Sequence, residues 1–304
     1  MEIKNWTYEE FPEYMSCPEG AVRMATSGDE IGILYMHDVE YAVVDGISLH
    51  LQILKPQTRN QPSKKYPCIV YVQGSAWMEQ NVYSEVGLVS SLAKRGYVVA
   101  IVQYRHSGQA AFPAQIQDAK NAIRFIRKNA EQYDVESDQI IVAGCSSGGH
   151  TAVFCGIVKD DSEMDRNLFP DVSAQVKGIL NYYGSVSLLM WDGNPTTLNH
   201  KLPDSPEGML FRANLRERKD LAEMGTAVTY ITPELDMPPC CIFHGTKDFI
   251  VNTKESVELY EKLKKCGKDA YLYLVEGGMH GGAEFWTEEA CDKAEAFIRH
   301  CLEK

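Results

Sequence analysis

From Tyr41 onward the chain falls into two alternating hydrophobic rhythms. Ile47-Ser48-Leu49-His50-Leu51-Gln52-Ile53-Leu54 is apolar at every second position, the period of a half-buried strand. Cys68–Val72, Tyr97–Val102, Gln139–Ala143, Val176–Tyr183, Cys240–Phe243 and Ala270–Val275 are short apolar runs, the pattern of strands covered on both faces. Between them lie segments of helical period. Residues 113–130 carry Ile116, Ala119, Ile123, Ile126 and Ala130 at spacings of three and four, with Pro113 at the first turn. Residues 88–95, 147–158, 257–266 and 288–302 also read as helices, and Gly96 and Gly267 stop two of them.

Strands alternating with helices predict an α/β fold with a mostly parallel central sheet flanked by helices. A single domain over residues 1–304 is expected. Two segments break the rhythm. Residues 1–40 are mixed and read as an N-terminal extension. Residues 185–238 lack a strong strand and read as a short cap-like insertion at the carboxyl ends of the strands, where a substrate pocket forms.

The sharpest local signal is Ala143-Gly144-Cys145-Ser146-Ser147-Gly148-Gly149-His150, at the junction of a predicted strand and a predicted helix. G-x-S-x-G fits there once, over 144–148. A sharp strand-to-helix turn forces its central residue into a strained conformation, and the residues two before and two after must lack side chains. Ser146 is thereby presented as a nucleophile at a helix N-terminus, which favours developing negative charge. The plainer alternative is a glycine-rich turn in which Ser146 or Ser147 is only a helix cap.

A nucleophilic serine needs a base, and the base needs an orienting acid. Asp248 follows the strand at 240–243, and His280 follows the strand at 270–275 in the loop EGGMHGG. Both therefore sit at the end of the sheet where Ser146 emerges, in the order serine, acid, histidine. His244 is a rival base but precedes the acid, so it is expected to be structural. Asp236 and Glu276 are weaker rivals for the acid, and His300 is expected to be remote. Oxyanion donors are expected from the N–H of Ser147 and from the loop after the strand at 68–72.

Charge and cysteine content narrow the partners. The net charge of -12 repels phosphate backbones and anionic membranes, so neither nucleic acid nor membrane is an expected partner. Nine cysteines, an odd number with no CxxC pair, fit a reducing, cytoplasmic setting better than a disulfide scaffold. The acidic, aromatic start MEIKNWTYEEFPEYM does not read as a secretory signal. Cys240 and Cys241 should point to opposite faces of a strand, so no metal site is expected.

Taken together, YVQGSAW at 71–77, QYRHS at 103–107, FPAQIQDAKNAIRFIRKNA at 112–130, AGCSSGGH at 143–150, DSPEGML at 204–210, FHGTKDFIV at 243–251 and EGGMHGG at 276–282 resemble the α/β-hydrolase superfamily. Within it they resemble the hormone-sensitive-lipase-like carboxylesterases, and the small bacterial acetylxylan and feruloyl esterases in particular. The resemblance covers roughly residues 40–302. It implies Ser146 as nucleophile, His280 as base and Asp248 as acid, and no cofactor. It implies an oxyanion hole from the N–H groups of Ser75, Ala76 and Ser147, shaped by Gly74. Where that family reads HGGGW or HGGAW, this chain has Gln73 and Ser75. Gln73 can still hold the loop by hydrogen bonds, and the Ser75 hydroxyl could add a donor.

Gln73, Trp77, Trp191 and Trp286 are the candidate substrate-binding residues, with Met190, Phe211 and Phe285 behind them. The reaction implied is hydrolysis of short acyl esters, such as acetyl or feruloyl groups on plant oligosaccharides. Amide hydrolysis and a non-catalytic binding role on the same fold are the alternatives. The oligomeric state is open, with a homodimer among the options.

Overall fold

The computed structural model describes residues 3–160, 162–189 and 195–304. The elements run β1 (Gly32–Val44), β2 (Ile47–Gln57), β3 (Tyr66–Val72), α1 (Val86–Ala93), β4 (Val98–Val102), α2 (Ala114–Lys128), β5 (Val135–Cys145), α3 (Ser147–Ile157) and β6 (Gly178–Tyr182). They continue with α4 (Pro206–Phe211), α5 (Lys219–Met224), β7 (Cys240–Gly245), α6 (Thr253–Lys265), β8 (Ala270–Val275) and α7 (Glu288–Leu302). Eight strands form one sheet in the order β1-β2-β4-β3-β5-β6-β7-β8. β1–β2 and β2–β4 pair antiparallel, and every other pair is parallel.

Side chains alternate across the sheet and split the core in two. Ile140, Val142 and Cys240 face one layer with α2, α3 and α6. Ile141, Ala143 and Cys241 face the other with α1 and α7. The adjacent cysteines therefore diverge, as strand geometry requires. Pairing of Val72 with Gly144, Cys145 with Tyr182, Tyr182 with Phe243 and Gly245 with Val275 brings the carboxyl ends of β3, β5, β6, β7 and β8 level. The loops that leave those ends share one edge of the sheet.

Two elements differ from the pattern read along the chain. β1 begins at Gly32, inside the segment expected to be an extension. Its pairing slips between Met36 and Val39 and again between Glu40 and Ala42, and Asp38 has φ 52°. Such bulges break the period of two, so the strand has no clean alternation to read. In α2 the face opposite the apolar stripe is also buried, by Gln115, Asp118, Lys120, Asn121 and Arg124. Polar residues at helical spacing look like a solvated face in sequence. Here Arg105, between β4 and α2, binds Gln115 and Asp118, and the loop after α3 covers the rest: the Asp165 carboxylate lies 2.5 Å from Arg124 Nη2 and 3.5 Å from Lys120 Nζ.

This cluster generates a stability prediction. The side chains of Lys120 and Asp165 are each 1% exposed, and that of Arg124 is 0%. Without Asp165 two buried cations would share the one remaining carboxylate among the described residues, that of Asp160, 3.1 Å from Lys120 and 3.0 Å from Arg124. Asp165→Ala should lower unfolding stability by about 3–5 kcal/mol in urea denaturation. Loss of the exposed Lys159–Asp236 pair should leave the midpoint almost unchanged.

Candidate active site

Ser146 links β5 directly to α3 with φ 52° and ψ −126°. That is a left-handed position, costly for a residue with a Cβ. Its surroundings require it. The Ser146 N–H donates to the Tyr182 carbonyl at 2.9 Å, and its carbonyl accepts the His150 N–H at 3.1 Å. A Cβ at Gly144 would collide with the Gly148 backbone, and one at Gly148 with the Val72 carbonyl. The glycines thus allow the turn to pass tightly over the end of β3. Cys145, next to the serine, is fully buried, and burial pushes its thiol up to about 12. It accepts the Gly74 N–H at 3.1 Å and so anchors the facing loop.

His280 reaches Ser146 Oγ through Nε2 at 2.8 Å. Its Nδ1 meets Asp248 Oδ2 at 2.7 Å. The three side chains come from the ends of β5, β7 and β8, so the level strand ends bring together residues 134 and 32 positions apart. Asp248 does not cap α6. Asn252 does that, accepting the Lys254 N–H. Asp248 Oδ1 instead accepts the N–H groups of Ile250 and Val251, each at 2.9 Å. Burial by itself would raise the Asp248 carboxyl, but hydrogen bonds from His244 and His280 outweigh it and hold the group well below the usual carboxylate range. Asp236 pairs with Lys159 on the surface, and His300 with Asp269. Neither takes part here.

The loop after β3 departs from the expected oxyanion arrangement at one residue. The Ser75 N–H donates to Ser147 Oγ at 2.9 Å, so it is not aimed at a reacting oxygen. The Ser75 hydroxyl donates to the Met78 carbonyl at 2.6 Å and meets Tyr104 Oη at 2.8 Å, and adds no donor to the site. The reason is Ser147, whose side chain supplies the acceptor that captures this N–H. Among the described residues nothing accepts the Ala76 N–H. The Ser147 N–H opens α3 and has no helical acceptor. Ala76 and Trp77 have φ 54° and 55°, a strained pair that turns the Ala76 amide. At Gly74 a Cβ would strike the Cys145 carbonyl and the Ser146 side chain.

Gln73 is 4% exposed and turned into the loop, not toward a ligand. Its Nε2 donates to the Asn81 carbonyl at 2.8 Å and to Ser84 Oγ at 3.0 Å. Gln80 adds a brace that no motif announced. It donates to the Gln73 and Val102 carbonyls and accepts the Tyr104 N–H. Trp77 borders the site but is 2% exposed and meets His150 edge-on at 5.2 Å. Trp286 lies elsewhere. It stacks on Tyr182 at 5.2 Å in the core beneath α7, because β6 points Tyr182 to that layer. Phe285 packs on Tyr183 and Phe211 on Phe112. Met190 and Trp191 lie outside the described residues.

A cavity of about 30 Å³ opens beside the serine. Ala76, Ser146 and Ser147 form one side, and Leu198, Pro206 and Ile250 the other. Its wall also contains His200 and Glu207, a buried pair with Nδ1 and Oε1 2.8 Å apart. His280 does not line it. The insertion thus supplies one wall through α4, whose N-terminus is capped by Ser205.

Comparison with known proteins agrees with this architecture. Residues 51–263 match the BD-FAE family model. Esterase LipC of Mycobacterium tuberculosis is 24% identical over 225 residues, which cover 73% of this chain and 55% of that protein. The chain spans about half the length of the curated relatives it matches. A structure titled as a truncated carbohydrate esterase from gut microbiota superposes with a TM-score of 0.75 at 24% identity, covering 91% of this chain and 99% of that one. A bifunctional GH43-CE protein of Bacteroides eggerthii gives 0.76 at 28% identity, covering 88% of this chain and 38% of that one. With its single eight-stranded sheet covered by helices on both faces and its match over most of the sequence, the chain belongs to the BD-FAE family, an α/β-hydrolase esterase family.

Proposed function

We propose that the protein is a serine carboxylesterase that removes short acyl groups through an acyl-enzyme. The observation that carries this reading is the unbroken line from Ser146 Oγ to His280 Nε2 at 2.8 Å and from His280 Nδ1 to Asp248 Oδ2 at 2.7 Å. In this mechanism His280 takes the serine proton as Oγ attacks the ester carbonyl. Asp248 accepts from Nδ1–H, fixes the tautomer and stabilises the imidazolium. The N–H groups of Ala76 and Ser147 hold the tetrahedral oxyanion. His280 then protonates the leaving alcohol, and water reverses the roles to release the acid.

The acyl group and the alcohol occupy different sides of this site. The alcohol must depart next to its proton donor, His280. The cavity at Ser146 is bordered by the oxyanion donors and not by His280, so it takes the acyl part. So small a cavity beside Ser146 favours short acyl groups such as acetyl over long chains. Acetyl groups on plant oligosaccharides are therefore the favoured substrates. That one structural neighbour is a carbohydrate esterase supports the sugar half of that assignment.

Three outcomes are expected. First, p-nitrophenyl acetate is cleaved with higher kcat/KM than butyrate or octanoate, and Ser146→Ala removes the activity. Release of acetate from acetylated xylo-oligosaccharides, set against hydrolysis of N-formylkynurenine, separates ester from amide preference. Second, Asp248→Asn lowers kcat by about 10⁴, the cost of the wrong imidazole tautomer. The depressed Asp248 carboxyl stays ionised through the neutral range. Its contribution to stability is full above the unfolded carboxyl range and is lost as pH falls toward the folded value, so acid unfolding of wild type should be steeper than that of Asp248→Asn. Third, Ser147→Ala frees the Ser75 N–H and loosens the oxyanion loop. It should lower kcat by about tenfold with KM little changed, less than the roughly 10²–10³ that outright loss of an oxyanion donor costs.

A further inference from the structure

Behind Asp248 stands a second imidazole that the esterase mechanism does not require. His244, the last residue but one of β7, is fully buried. Its Nε2 lies 3.1 Å from Asp248 Oδ2 and 3.0 Å from the Val251 carbonyl. Both partners are acceptors, so Nε2 carries the proton. The other ring nitrogen, Nδ1, meets Ser256 Oγ of α6 at 2.6 Å. Asp248 Oδ2 is thus shared between two imidazole N–H donors, while Oδ1 takes two backbone N–H donors.

We infer that His244 is a positioning residue that tunes the basicity of His280 through Asp248. The proposal rests on the reading of Ser146 and His280 as nucleophile and base. The electrostatic logic is direct. Each N–H donated to Oδ2 withdraws charge from the oxygen that stabilises the His280 imidazolium. The His244 donor therefore lowers the proton affinity of His280 and keeps more of it in the neutral, proton-accepting form at a given pH. Ser256, donating to Nδ1, polarises the His244 ring and makes its Nε2–H a better donor. The relay runs Ser256–His244–Asp248–His280–Ser146, through four hydrogen bonds of 2.6, 3.1, 2.7 and 2.8 Å.

Other ionisable groups face this relay from each neighbouring element. α6 contributes Glu255, whose carboxyl burial pushes well above its usual range. Tyr183, after β6, meets His280 edge-on at 5.0 Å, and burial raises its phenol likewise. The cap contributes the His200–Glu207 pair, and the turn before α7 contributes Glu284, which accepts the Met279 N–H beside His280. All of them are retained when His244 or Ser256 is changed. The sign of the effect therefore belongs to the relay.

The test compares wild type, His244→Gln, His244→Phe and Ser256→Ala. The readouts are the acid limb of the kcat/KM profile with p-nitrophenyl acetate and the NMR titration of the His280 ring. Loss of the His244 donor in His244→Phe should raise the His280 pKa by roughly half a unit or more. Ser256→Ala should raise it by less, in the same direction. His244→Gln, which can still donate to Asp248, should lie near wild type. An unchanged or lowered His280 pKa in His244→Phe and Ser256→Ala overturns the proposal, whatever happens to the rate. If His244→Phe does not fold, the sign of the Ser256→Ala shift decides alone. The NMR arm needs no turnover, so absent ester hydrolysis in wild type would count against the esterase reading and leave the coupling measurable.

Discussion

The backbone turn at Ser146 is the constraint on which the rest of the site depends. Its φ of 52° and ψ of −126° cost on the order of 1–3 kcal/mol for a residue with a side chain. Sheet hydrogen bonds behind the residue and helix hydrogen bonds ahead of it hold the strain in place. Gly144 is needed because the turn closes on the backbone of Gly148, and Gly148 because it runs against the end of β3, with no room for a Cβ at either. The same closeness aligns the Ser147 N–H with the loop that carries Ala76. In the proposed mechanism, nucleophile and oxyanion donors are thus two results of one tight crossing.

Around this crossing the structure uses buried hydrogen bonds instead of flexible contacts. Gln73 and Gln80 stitch the oxyanion loop to the sheet, Cys145 holds Gly74, and Ser147 holds Ser75. Each bond fixes a backbone group that would otherwise be free to swing. A loop with two residues at positive φ needs such bracing, because strained backbone relaxes unless its neighbours over-determine it. On the far side of the imidazole, four N–H donors fix Asp248. The groups to which the proposal gives the reaction are positioned before any substrate arrives, the condition for electrostatic stabilisation without reorganisation.

The strands, the helices and the three residues at the strand ends were legible in the sequence because they follow from periodicity and chain order. The features that escaped depend on side-chain direction. Ser75 and Ser147 lie far apart along the chain, and nothing in either motif says that the hydroxyl of one captures the N–H of the other. Trp286 is a candidate substrate-binding residue in the sequence, yet the strand alternation that turns Tyr182 toward α7 draws it into the core. β1 was hidden by its bulges, and the buried polar face of α2 by its resemblance to a solvated one. His244 precedes the acid along the chain, which argues for a structural role; only the fold brings its Nε2 against the carboxylate.

The central claim is that strained geometry makes Ser146, and not its neighbour Ser147, the nucleophile. Labelling with a stoichiometric organophosphonate, followed by peptide mass spectrometry, tests this directly. The account predicts one phosphonyl group per chain, on Ser146, with labelling suppressed in the Asp248→Asn protein. Modification of Ser147, or an unlabelled folded protein, would contradict it.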